Sequence, residues 1–567
     1  MKAGVGKSKV SFRKALLPLH GYPVVGVLAD GFETELYARA FVFSQSSKVI
    51  ALVVLECSYI SHHLKEALIE RCKKNLTSLH LSIENLLLCA QHTHSAPGGH
   101  SHYAFHNLTC KGFRPEVFQA YLNACFDALK EAAGDLAESQ LSLNADLFQE
   151  EADVAFNRSL DAYNRNPEVV QRDEMQTHLA LNRMMKQLRI GAKEPGDKGL
   201  INWFGVQANS ISSTNHKINA DNKGYAASLL ENDQRTGPNF IAAFCQEAAA
   251  DVSPNYYGKA KWWPRGRYED DFKSAYSNGF LQFEKARQMA EGKEFQIPVS
   301  GELDAVMMYV DMSDVLCDAE FCVGDEACRT GQAVVGLSFL EGTSPDIDGT
   351  DAFTSGVLRS LIRVRELINT MPLTGIRGER QRLNALKQIH HPKVLAVEMQ
   401  QKRLLGYKRL NKLPIATGQA EIKDEIKRQY EAGALTEHSW LPVIVPLQMM
   451  RIGALVIIGF PGDLSTTAGM RLRHTVLKAL EKYDILDVII TTYANEMAGY
   501  AVTPEEYMEQ SFEGGYTLYG RMTLPAYQTL YRKLAGELFK PPQERSLKSK
   551  ISPPVFSKEE LDKRSFR

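Results

Sequence analysis

Two histidines, His92 and His94, flank Thr93 directly after the apolar run Leu86-Leu87-Leu88-Cys89-Ala90, and Ser95-Ala96-Pro97-Gly98-Gly99 follows them. Imidazole is both a common metal ligand and the side chain best suited to moving protons near neutral pH. Side chains two residues apart on a strand leave the same face. A strand over residues 86–90 would therefore carry both rings off its end on one side, as a metal ligand and a general acid/base require. The Pro-Gly-Gly reads as a turn that brings backbone amides close to whatever the histidines hold. A solvated His-Thr-His at a strand end is an equally ordinary reading, and the spacing by itself leaves both open.

Other loop-like segments carry reactive residue types. Arg158 in Asn157-Arg158-Ser159 offers a guanidinium beside a hydroxyl, Gln207 follows an apolar run, and Asp221-Asn222-Lys223-Gly224 opens a helix. Ser253 lies in the turn Asp251-Val252-Ser253-Pro254-Asn255, Asp463 precedes a helix, and Tyr500 follows a strand. Each has a plain alternative: a surface turn for Ser253, a helix N-cap for Asp463, a core phenol for Tyr500. Gly6-Lys7-Ser8 lacks the first glycine and the preceding strand of a phosphate-binding loop. The acidic stretch Asp346-Ile347-Asp348-Gly349-Thr350-Asp351 has Val357 where a calcium loop needs its twelfth-position glutamate, so it reads as a polar surface turn. Sequons at Asn75, Asn107 and Asn157 carry meaning only on a secretory route.

The elements that must position these residues follow from periodicity. Residues 38–43 and 49–55 read as a strand pair about a polar turn, and residues 441–460 as strand-rich. Apolar residues recur at helical spacing over 63–73, 119–133, 268–292 and 468–483. This mixture indicates an α/β or α+β chain. Its 567 residues are 44% hydrophobic and 23% charged, as in ordinary globular proteins. A net charge of -1 excludes a basic field for nucleic acid. Apolar runs such as 49–55 and 454–458 are far shorter than the roughly 20 residues of a transmembrane helix. Nine cysteines show no disulfide framework, and Cys317, Cys322 and Cys328 lack the paired spacing of a structural zinc site. With no apolar leader at the N-terminus, the expected location is cytoplasmic, or secreted or periplasmic if a leader has been removed. Residues 541–567 are charged, contain two Pro-Pro pairs and have little to bury, so they read as a flexible tail.

Taken in order, several blocks resemble the neutral/alkaline ceramidases, which hydrolyse the amide of N-acylsphingosine. They are HTHSAPGG (92–99), FNRSLDAYNRNP (156–167), LINWFGVQANSISSTN (200–215), DNKGYAA (221–227), AAFCQEAAADVSPN (242–255), FPGDLSTTAGMRLR (460–473) and NEMAGYAVTPEEY (495–507), with EGGYTLYG (513–520) after them. The resemblance covers nearly all of residues 1–540. It implies a mixed α/β catalytic domain over 1–540, with β-sheets flanked by helices; the family's usual C-terminal immunoglobulin-like domain is expected to be absent, because the sequence stops within a short tail. It also implies one zinc ion held by His92, Gln207, Asp463 and Tyr500, with His94 as general base and then acid. Arg158 would stabilise the oxyanion, and Ser253 would act as nucleophile or position the water.

The implied substrate is ceramide or a related N-acyl lipid, met through peripheral membrane contact. The departures are Gln207 for the family's histidine, Asp463 for glutamate, Phe512 for an active-site tyrosine and Ala96 for glycine. An amide oxygen is a poorer zinc ligand than imidazole, so the metal would be weakened, replaced by another divalent ion or lost. A non-catalytic lipid-binding homologue, or an amidase or esterase on a smaller substrate, stays open on these residues.

Overall fold

Alternation along two adjacent strands, Tyr37–Gln45 and Lys48–Leu55, sorts the chain into layers. Phe41, Phe43, Leu52 and Val54 face one core together with Trp203, Met450, Leu455, Ile457 and Ile489. Their neighbours Ala40, Val42, Val53 and Leu55 face another, with Val117, Tyr121 and Leu129 of the helix Pro115–Gly134. The computed structural model describes residues 1–565 apart from 14–15, 24–25, 193–195, 260–264, 293–295, 323, 325–327, 350–351, 371–376, 411–419 and 548–550.

Among the described residues the larger sheet runs Ile241–Cys245, Asp197–Trp203, Met184–Ala192, Ala137–Leu147, Lys2–Lys9, Tyr37–Gln45, Lys48–Leu55, Leu86–Ala90, with Ile297–Val299 beside Ala137–Leu147. A second sheet runs Leu303–Asp311, Ile444–Ile452, Leu455–Gly459, Asp487–Thr491. The inner faces of the two sheets share one core. Helices Thr466–Ala479 and Thr523–Leu538 cover the outer face of the second sheet, where Val456, Ile458, Val488 and Ile490 meet Leu472, Val476 and Tyr531. Asp221–Glu231 and Asp271–Glu291 cover the far end of the first, through Leu200, Ala242 and Phe244 against Leu230 and Phe283. This is the mixed α/β arrangement of helix-flanked sheets that the resemblance implied.

The periodicity located its elements. The strand pair is antiparallel, from Ala38 opposite Leu55 to Gln45 opposite Lys48. The expected helices are His62–Asn75, Pro115–Gly134, Asp271–Glu291 and Thr466–Ala479. Gly6 lies inside a strand, where a Cβ would sit 2.2 Å from the Ala128 carbonyl oxygen. Its role is close helix–sheet contact, not phosphate binding.

Two expectations are corrected. Cys322 and Cys328 form a disulfide. The C-terminal segment does bury side chains: Arg564 is 1% exposed, Phe556 packs on His63 and His102, and Phe113 N–H donates to the Arg564 carbonyl. The charged composition concealed one aromatic and one guanidinium that find partners only in three dimensions. Among the described residues no helix is long and apolar enough to cross a membrane.

Lys65 is wholly buried and donates to the Ile83 carbonyl at 2.8 Å, and burial holds its amine down at about 7, against an ordinary 10.5. Between those values the unfolded chain holds a proton that the folded chain has released, so stability rises with pH across that window. Lys65→Met is expected to remove a cost of roughly 4 kcal/mol that is fully present at lower pH. Calorimetry should show the variant melting above the natural chain at pH 6, with the gap closing towards pH 10.

Candidate active site

The loops that leave the carboxyl ends of the strands are tied to one another. Ala90 N–H donates to the Tyr493 carbonyl and Asn495 N–H to the Leu88 carbonyl. Thr492 N–H reaches the Gln246 carbonyl, and the Gln246 side chain reaches the Gln91 carbonyl at 3.0 Å. These bonds join the loop after Leu86–Ala90 to those after Ile241–Cys245 and Asp487–Thr491.

His92 and His94 are brought together, but not by strand alternation. The strand ends at Ala90, and His92 takes a left-handed backbone with φ 75°. Its two rings meet edge to face with the Nε2 atoms 3.0 Å apart. The protons follow from the partners. His92 Nδ1 faces the Ser58 carbonyl, which can only accept, so Nδ1 carries the hydrogen and Nε2 a lone pair. His94 Nε2–H then donates to His92, and His94 Nδ1 keeps a lone pair with no hydrogen-bond partner among the described residues. Burial pushes His92 down to about 3 and His94 well below 6.5, so both rings are neutral at physiological pH.

The Pro-Gly-Gly amides do not serve these rings. Ala96–Pro97 pairs with Leu17–His20, and Gly98 N–H donates to the Pro18 carbonyl.

Asp463 and Tyr500 are direct partners in a short parallel ladder, Asp463–Leu464 beside Tyr500–Ala501. Asp463 is not the N-cap of the following helix; Ser465 is, accepting from Ala468 N–H. The Asp463 carboxylate accepts from Ala249 and Leu464 N–H on Oδ1, and from Gln207 Nε2 at 3.0 Å and the Tyr493 hydroxyl at 2.9 Å on Oδ2. Burial raises its pKa to about 7. Tyr493 is a member that the sequence reading missed. Its ring stacks on His92 at 3.8 Å, and its hydroxyl meets Gln207 at 3.1 Å and Tyr500.

Arg158 and Ser253 come together through a two-residue ladder, Phe156–Asn157 antiparallel to Val252–Ser253. Ser253 is fully buried and lies on no surface turn. Its hydroxyl donates at 2.6 Å to Asp346, which also accepts from Asn255 Nδ2 at 2.7 Å and Arg158 Nη1 at 2.6 Å. The acidic stretch read as a surface turn thus places Asp346 at 1% exposure as the hub of this group; Thr350 and Asp351 lie outside the described residues. Arg158 Nε donates to Glu513 at 3.0 Å and Nη2 to the Ala250 carbonyl at 2.6 Å. Burial alone would lower the Arg158 pKa, but Glu513 and Asp346 raise it, so the guanidinium stays charged. Glu513 had a signal, since it opens the matched block EGGYTLYG. Asp346 had none.

Of these groups, His92, His94 and Tyr500 line one apolar cavity. His92, His94, Tyr22 and Tyr500 line its polar end, and Phe339, Leu340, Leu358, Val397, Leu404 and Ile426 its walls. Phe512 also lines it, 5.4 Å beneath the Arg158 guanidinium. The zinc expected at His92, Gln207, Asp463 and Tyr500 meets a poor donor set. The four are gathered, but Gln207 turns its amide nitrogen, not its oxygen, toward Asp463, and a metal needs lone pairs. The residues as arranged do not fit the ion.

Comparison with known proteins gives a consistent picture. The model of a family described as neutral/alkaline non-lysosomal ceramidase, N-terminal, matches residues 1–408 and 408–529. A protein named neutral ceramidase from Pseudomonas aeruginosa is 29% identical over 541 residues, spanning 94% of this chain and 72% of its own length. Another of that name from Mycobacterium tuberculosis is 30% identical over 552 residues, spanning 94% and 76%. The crystal structure of the Pseudomonas aeruginosa neutral ceramidase superposes with a TM-score of 0.74 at 27% identity, covering 95% of this chain and 74% of that one.

Proposed function

The chain belongs to the neutral/alkaline non-lysosomal ceramidase family, and on that premise we propose that it hydrolyses the N-acyl amide of ceramide or a related N-acyl lipid to a sphingoid base and a fatty acid. The observation that carries this reading is the cavity whose apolar walls lead to His92, His94 and Tyr500. An aliphatic chain gains free energy along such walls, roughly 0.8 kcal/mol for each buried methylene. That leaves the polar head of the lipid, the amide with its neighbouring hydroxyls, at the histidines. His94 Nδ1 is the base: a neutral ring with a free lone pair accepts a proton from the attacking water and returns it to the leaving amine. Ser253, oriented by Asp346, acts as nucleophile or positions that water. Arg158 donates through Nε, Nη1 and Nη2 to Glu513, Asp346 and the Ala250 carbonyl, and its charge favours the oxyanion.

The test is release of fatty acid from a short-chain fluorescent ceramide, followed with and without chelator. Turnover supports the reading, and binding without turnover overturns it. One observation favours that second outcome, a non-catalytic lipid-binding protein: the Gln207–Asp463 hydrogen bond occupies two positions the family uses for its metal. Leu340→Asp, which sets a charge in the half-buried cavity wall, is expected to raise KM roughly tenfold or more while kcat changes little. An unchanged KM would remove the cavity from the substrate path.

A further inference from the structure

A zinc ion at this site would need inward-pointing lone pairs from four side chains. The structure instead pairs each of the four with a neighbour. The orientation of Gln207 is decided outside the cluster: its Nε2 donates at 3.0 Å to the Ala249 carbonyl, which can only accept. The same nitrogen therefore faces Asp463 Oδ2 at 3.0 Å and the Tyr493 hydroxyl at 3.1 Å.

Asp463 has one methylene fewer than glutamate, and both its oxygens are taken, Oδ1 by two backbone N–H groups and Oδ2 by Gln207 and Tyr493. The His92 lone pair accepts the His94 N–H, and the Gln207 side chain is a second hydrogen-bond partner of the His92 ring. The Tyr493 hydroxyl meets Gln207, Asp463 and Tyr500 at once. One carboxylate is thus surrounded by neutral donors that occupy its lone pairs.

We propose that His92, Gln207, Asp463 and Tyr500 form a closed, metal-free polar cluster in which the Tyr493 hydroxyl and the Gln207 amide take the place of a resident zinc ion. The cluster keeps His92 a fixed acceptor and so fixes the His94 ring against it. This inference is independent of whether the chain turns ceramide over, and its test reads metal and not turnover.

The full chain is equilibrated with zinc chloride, desalted and its zinc counted by mass spectrometry. Cobalt substitution gives an optical readout, since a four-coordinate Co²⁺ site absorbs strongly in the visible. The expected result is zinc far below one ion per chain, unchanged by His92→Ala. Gln207→His combined with Asp463→Glu restores imidazole and the longer carboxylate, and is expected to raise the content to one ion per chain with a tetrahedral cobalt spectrum.

A stoichiometric ion in the natural chain that His92→Ala removes would overturn the inference. So would a folded double variant that gains no metal, because Gln207 and Asp463 would then not be the reason for its loss. Zinc that leaves with His438→Ala but not with His92→Ala would come from Glu437, His438 and Glu560, whose ligand atoms lie within 4.8 Å of one another. That result supports a metal-free cluster at His92.

Discussion

His94→Ala is expected to lower kcat for a short-chain ceramide by roughly 10²–10⁴-fold, with KM and melting temperature changed far less. The reason is local. His94 is 3% exposed, yet its Nδ1 lone pair has no hydrogen-bond partner among the described residues. A buried imidazole nitrogen left unpaired has a free-energy cost, and its lone pair is open to a proton. The ring is held by its Nε2–H to His92 and packs edge to face on Tyr22, so the lone pair keeps one direction.

The same burial determines the pH profile. A base is active when unprotonated, and burial holds His94 well below 6.5. Activity is therefore expected to stay level from pH 8 to pH 6 and to fall only at lower pH, as the ring finally protonates. Loss of activity with a midpoint near 6.5 that persists in Asp463→Asn would show a solvated base elsewhere. A His94→Ala variant with the natural kcat would remove His94 from the chemistry.

Arg158→Met should produce the largest loss of stability of any substitution near the site, about 3–5 kcal/mol. The Arg158, Asp346 and Glu513 side chains are all at most 1% exposed. The guanidinium is the cation shared by both carboxylates, and removing it leaves two like charges buried side by side. Their remaining side-chain hydrogen bonds would come from neutral donors such as Ser253, Asn255 and Ser159, with Arg265 still acting on Asp346 through its charge. Thermal unfolding should show a melting temperature lower by several degrees.

A compensating change separates lost charge balance from lost packing. Arg158→Met with Glu513→Gln and Asp346→Asn removes the unpaired charges and is expected to recover much of the loss. If the single variant melts with the natural chain, the three groups are not the buried network described above. If the triple variant recovers nothing, packing and not charge accounts for the effect. Activity is expected to fall in both, because Asp346 also orients the Ser253 hydroxyl.

The sequence by itself determined the layered elements and named most of the residues that the structure brings together. Strand alternation and the 3.6-residue helical period are local properties, so the pair Tyr37–Gln45 and Lys48–Leu55 and the helix Pro115–Gly134 could be read without knowing their partners. The order of the blocks likewise named His92, His94, Arg158, Gln207, Ser253, Asp463 and Tyr500, and these do converge in two adjoining clusters.

Only the tertiary structure decided what those residues bond to. Asp346 joins Ser253 across 93 positions, and Gln207 joins Asp463 across 256. Such pairings leave no periodic trace in the chain. A turn of Asp, Ser, Pro and Asn has the same composition whether water or another loop covers it, so both Ser253 and Asp346 looked like surface. The identity of Gln207 raised the question of the metal. The Ala249 carbonyl fixes which end of that amide faces Asp463, a contact that no local pattern in the chain records.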